Sequence, residues 1–268
     1  MNSILYASLI IASITGTLSV VIYVLFFKPM RNIKYILLQP FPENLRQILN
    51  SRIKFYYALT PENKNSFEKR IQLFLATKKI IPVDTEIDDE IRIMIAASAI
   101  IPMFAFPGYN YPDLNDILVY PKSFDENFQT EDADENDNNI IGMVGNRYLN
   151  GTMIISKPDL INAYSGKNQK SNVGIHEFVH LVDKTDGAID GIPEILLEHS
   201  YVAPWLSLIK EEMSVIEKGR SDINPYALTS DAEFLAVVSE YFFNDTENFK
   251  RKHSQLYDYL KSIFKQEI

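Results

Sequence analysis

Residues 172–187 read Asn-Val-Gly-Ile-His-Glu-Phe-Val-His-Leu-Val-Asp-Lys-Thr-Asp-Gly, and no other stretch of the chain restricts its fold so tightly. His176 and His180 are four residues apart. On a helix that spacing stacks them one turn apart on a single face, where both imidazoles can reach one ion. Glu177 follows the first histidine and can reach a metal-bound water without ligating the metal itself. The stretch therefore predicts a helix that carries two ligands and a base.

Two histidines do not complete a catalytic zinc site, which keeps three protein ligands and one open position. The third must come from downstream, where Glu194, Glu198, His199, Glu233 and Glu240 are candidates, with Asp183, Asp186 and Asp190 nearer by. Asp183 lies three residues past His180 and suits either a helix-end charge or an acceptor for a spare imidazole N–H. Glu233 and Glu240 are seven apart in a predicted helix, so they share a face and spacing leaves both open. Ser230-Asp231-Ala232-Glu233 also has the form of a capping box, which would turn Glu233 back toward its own helix end. A structural site closed by a fourth ligand such as Glu240 or His199 is a further alternative.

The ligand types are restricted by composition. The 268 residues contain no cysteine, which excludes disulfides and thiolate metal sites and leaves histidine and carboxylate. A hydrophobic content of 46% supports a folded core. The net charge of −9 is concentrated: residues 125–137 carry seven acids and no base, and without them the balance is about −2. That stretch reads as a solvated loop, since it lacks the ligand order of an EF-hand. No basic stripe suggests direct contact with nucleic acid.

Residues 1–27 carry no charged side chain, and Ile4–Phe27 is mostly apolar. As a helix it would measure about 36 Å, enough to cross a hydrocarbon core of about 30 Å. No basic residue precedes it and bulky Val24-Leu25-Phe26-Phe27 ends it, which favours a membrane anchor over a cleaved signal. Lys28, Arg31 and Lys34 follow at once, so the expected protein is single-pass, with its large C-terminal part in the cytoplasm. The expected division is an anchor at 1–34 and a metallopeptidase domain at 35–268.

Within that domain, residues 43–58 read as a short helix, and Thr60-Pro61 opens another with an N-cap and a proline at N1. Asp88 caps a helix over 90–101, and Ile117–Tyr120 reads as a buried strand. Asn150-Gly151 predicts a hairpin joining 140–149 to Thr152–Ser156. From Pro193 onward the chain is mainly helical, over 193–199, 204–218, 230–243 and 253–265. The expected fold class is α+β: mainly helical, with a small sheet packed on the His176–His180 helix.

Three segments resemble the Mlc titration factor A family of zinc peptidases: 172–183, then Asp186-Gly187-Ala-Ile-Asp190-Gly191-Ile-Pro193, then Asn224-Pro225-Tyr226 through Ala232-Glu233-Phe234. Asp89-Glu90-Ile-Arg92 and Val119-Tyr120-Pro121 are similar to it as well, and the likeness spans about 55–250. The last motif is also similar to the catalytic domain of anthrax lethal factor. The resemblance implies a gluzincin-type fold and a Zn2+ ion held by His176, His180 and Glu233. It makes Glu177 the general base and Tyr226 the oxyanion-stabilising group, a role that residue type alone would not assign to one of fifteen tyrosines. It also implies that Thr152–Ser156 offers an edge for a peptide or protein substrate. A second function follows from the same resemblance: a regulatory protein that sequesters a transcriptional repressor, with the zinc site secondary. The apolar N-terminus and the acidic stretch depart from the family pattern.

Overall fold

The computed structural model describes residues 6, 13–21, 23, 28–122, 151–166, 170–197 and 199–267. Two compact units make up the chain, Met1–Phe41 and Pro42–Ile268. The acidic stretch at 125–138 lies outside the described residues.

The first unit corrects the expected anchor. Among the described residues no helix is long and apolar enough to cross a membrane. Residues 13–21 are helical. The helix that follows, α1 (Lys28–Leu38), has 11 residues and includes Lys28, Arg31 and Lys34 in its sequence. The rest of Ile4–Phe27 lies mostly outside the described residues. The expectation of a single-pass membrane protein with a cytoplasmic catalytic domain is corrected on the ground that no spanning helix is found among the described residues.

The second unit is mainly helical. Its first helices are α2 (Glu43–Arg52) and α3 (Lys54–Ala58), separated by Ile53 in an extended conformation where one helix was expected. Next comes α4 (Pro61–Thr77), with proline at its first position and a Thr60 hydroxyl accepting from the Asn63 amide, as its sequence predicts. After strand β1 (Lys79–Pro82), Asp88 accepts from the Ile91 amide and starts α5 (Asp89–Ile100). Strands β2 (Asp116–Tyr120) and β3 (Thr152–Ser156) complete a parallel sheet in the order β1-β2-β3, with Ile117 opposite Ile80 and Met153.

The hairpin expected at Asn150-Gly151 includes β3. Its predicted partner strand lies outside the described residues, and β3 pairs in parallel with β2. Gly151 makes a long-range contact. It has φ +80°, its carbonyl accepts from the Asn115 amide at 2.7 Å, and a Cβ there would stand 2.7 Å from the Asp113 carbonyl oxygen. The glycine marks a close approach to the loop before β2.

The remaining helices are α6 (Lys157–Ala163), α7 (Val173–Asp183), α8 (His199–Glu217), α9 (Asp231–Asn244), α10 (Thr246–Lys252) and α11 (Ser254–Phe264). The helix expected at 193–199 is instead a turn closed on the Pro193 carbonyl, and α8 begins at His199.

The core centres on α7, which packs against α5, α9 and β3. Phe178 of α7 meets Phe74 and Tyr111 at ring separations of 5.7 and 4.9 Å. Gly174 lets α7 and α5 approach: a Cβ there would lie 2.1 Å from Ser98 Oγ and 2.7 Å from Ser98 Cβ. Ser98 is fully buried and bonded to the Met94 carbonyl and the Tyr164 hydroxyl, so it has little room to yield. Gly174→Ala should destabilise the fold by about 1–3 kcal/mol, the ordinary cost of overpacking. Denaturant unfolding measures it, and an unchanged midpoint would contradict this helix contact.

Candidate metal centre

The helix α7 is built to begin and end where it does. Asn172 caps it by accepting from the Ile175 amide at 3.1 Å, and Gly187, with φ +102°, ends the 3-10 turn that follows. His176, Glu177 and His180 therefore fall in the buried middle of one helix, exposed by 6%, 3% and 4%.

Across from them, Ser230 caps α9 through the Glu233 amide at 3.2 Å. This is the backbone half of the capping box. The Glu233 side chain does not complete the box as its sequence suggested but faces the two histidines. Its Oε2 lies 2.9 Å from His176 Nε2 and 3.3 Å from His180 Nε2, and the two Nε2 atoms are 3.1 Å apart. A tetrahedral ion with bonds of about 2.0–2.1 Å keeps its ligand atoms about 3.3 Å apart. The donor atoms thus fit a single ion, and their chemistry is the nitrogen and carboxylate set that a cysteine-free chain can offer. Among the described residues His176, His180 and Glu233 form the one group of three such side chains with this convergence.

Charge at the site is finely opposed. Burial works against a positive His176, but its bonds with Glu233 and Glu240 outweigh that and raise the imidazole to about 10. For Glu233, burial would raise the carboxyl, yet the two histidines hold it well below the usual carboxylate range. The cluster favours a cation between its carboxylates, whether proton or metal.

The other candidates separate clearly. Glu240 turns to the opposite nitrogen of His176, accepting from Nδ1 at 2.7 Å. Tyr226, on the 3-10 turn Pro225–Leu228 capped by Asn224, places its ring 6.1 Å from that of His176. Glu194 and His199 are exposed, and Glu198 lies outside the described residues. Asp186 and Asp190 are also exposed, and each caps a nearby amide.

Asp183 has a structural connection that its spacing did not reveal. Its Oδ2 accepts from the Gly191 amide at 2.9 Å, and the Gly191 carbonyl accepts from Trp205 Nε1 at 2.8 Å. A Cβ on Gly191 would stand 2.4 Å from the Asp231 carbonyl oxygen, at the start of α9. Gly191 thus packs the end of α7 against the first turn of the helix that carries Glu233. The Asp-Gly pair at 190–191 was the only trace of this in the sequence.

A family model described as glucose-regulated metallo-peptidase M90 matches residues 27–265, and the chain belongs to that family. An uncharacterized protein of Synechocystis sp., slr2042, is 32% identical to it over 241 residues, 86% of each chain. Mlc titration factor A of Escherichia fergusonii is 29% identical over 217 residues, covering 76% of this chain and 80% of its own. The protein of the same name from Cronobacter sakazakii is 27% identical over 217 residues, or 74% and 77% of the two chains. These matches carry the family expected from the motifs. The likeness to lethal factor draws no support from them.

Asp183 yields a pH-dependent expectation. Burial, with Asp190 and Asp186 nearby, pushes its carboxyl from 3.8 up to about 7 against the pull of the Gly191 amide. The folded value is the higher one, so its contribution to stability is complete below about pH 4 and is lost as pH rises through about 7. Asp183→Asn should therefore gain on the native chain by roughly 2–4 kcal/mol between pH 4 and pH 8. Unfolding free energies measured across that range check it, and parallel curves would contradict it.

Proposed function

We propose that the chain is a zinc-dependent peptidase, its catalytic domain spanning residues 35–268, with His176, His180 and Glu233 as ligands of Zn2+. The observation that carries this is the convergence of three donor atoms within hydrogen-bonding distances of one another on two packed helices. When bound there, zinc would lower the pKa of a water and polarise the scissile carbonyl. Glu177, buried next to the first ligand, takes a proton from the attacking water on its carboxylate. It then passes that proton to the leaving nitrogen as the C–N bond breaks. The Tyr226 hydroxyl donates to the oxygen on which negative charge develops. The substrate backbone aligns along β3, which pairs on one side only among the described residues.

The relatives' name, Mlc titration factor A, favours a second reading in which the chain binds a transcriptional repressor and the metal organises the binding surface.

Zinc content and peptide hydrolysis of native protein and Glu177→Ala test the first reading. Both should carry equimolar zinc, while kcat/KM falls by about 10²–10⁴-fold, the usual contribution of a general base. Metal-replete protein with equal activity in both would refute it. Capture of a repressor by Glu177→Ala as well as by native protein, with no cleavage by either, would support the second.

A further inference from the structure

Glu240 lies two turns beyond Glu233 on α9, behind His176 and away from the three converging donors. Its Oε1 accepts from His176 Nδ1 at 2.7 Å, while Oε2 accepts from Ser171 Oγ at 2.9 Å and from the Asn172 amide. Asn172 is the residue whose side chain caps α7. One buried carboxylate therefore grips both the first turn of the helix and the ring of its first histidine.

We infer that Glu240 is a positioning residue that selects the metal-binding tautomer of His176. This rests on the zinc-site reading above. An acceptor at Nδ1 keeps the ring proton on that nitrogen and leaves the Nε2 lone pair facing His180 and Glu233. Only a carboxylate can do this here. All three neighbours of Glu240 are donors, and a carboxylate accepts from all of them. An amide has one accepting oxygen. If a Gln oxygen faces His176, its NH2 group meets the Asn172 amide and two donors oppose each other. If the Gln is flipped, its NH2 points at Nδ1, which must then accept, and the ring proton moves to Nε2, where it blocks a metal. Either arrangement weakens metal binding. A cavity of about 190 Å³ reaches Glu240 from the side of Lys170, Asp222 and Tyr241.

Competition for Zn2+ against a chromophoric chelator, on native protein and Glu240→Gln, tests the inference. The variant should bind zinc about 10–100-fold more weakly, as is usual on loss of an outer partner of a ligand, with helical content unchanged by circular dichroism. A merely structural Glu240 would lower the melting temperature yet leave the zinc affinity of folded protein unchanged, and that result would overturn the inference. Native protein that binds no zinc would instead overturn the zinc-site reading beneath it. Should Glu240→Gln fail to fold, nitrogen-15 NMR of zinc-loaded native protein decides. A protonated Nδ1 and a metal-bound Nε2 on His176 are expected, and the reverse assignment refutes the role.

Discussion

Two imidazoles and the carboxylates of Glu233 and Glu240 are packed between α7 and α9 with little access to water. Isolated charges in such a place would each cost several kcal/mol. Here each charged group has a named partner, and Glu240 alone accepts from three donors. Other features of the unit serve that pairing. Gly174 lets α7 approach α5, and Gly191 lets the loop after α7 pack against the start of α9. Asn172 and Ser230 fix where the two helices begin.

Much of this was legible because local rules and tertiary packing agree. The His176–His180 spacing predicted a helix with a shared face, and Asp88, Thr60 and Ser230 all cap as their side chains suggest. The fold class, mainly helical with a small sheet, followed from the same patterns. The helix expected over 43–58 is interrupted at an extended Ile53, and elsewhere a local preference competes with a longer-range contact. Ser230-Asp231-Ala232-Glu233 has the form of a full capping box, but only its backbone half forms and the Glu233 side chain faces the two buried imidazoles. Asn150-Gly151 is a strong turn signal whose expected first strand lies outside the described residues, and Gly151 itself sits where the chain passes the Asp113 carbonyl.

Spacing could not separate Glu233 from Glu240, since residues seven apart share a face. Depth within the pair of helices separates them. Glu233, near the start of α9, meets the Nε2 atoms, whereas Glu240, two turns on, meets Nδ1 of the first histidine. The apolar N-terminal run misled in a different way. Hydropathy alone suggested a spanning segment, while no helix among the described residues is long and apolar enough to be one.

The proposed function rests on a single claim, that one ion sits between α7 and α9 with three protein ligands and an open fourth position. Crystals of zinc-loaded protein, with anomalous diffraction collected on both sides of the zinc absorption edge, test it most directly. The account predicts one strong peak bonded to His176 Nε2, His180 Nε2 and a Glu233 oxygen, with Glu240 on Nδ1 of His176. A peak ligated by Glu240 or His199, or one that leaves Glu233 unbound, would contradict it.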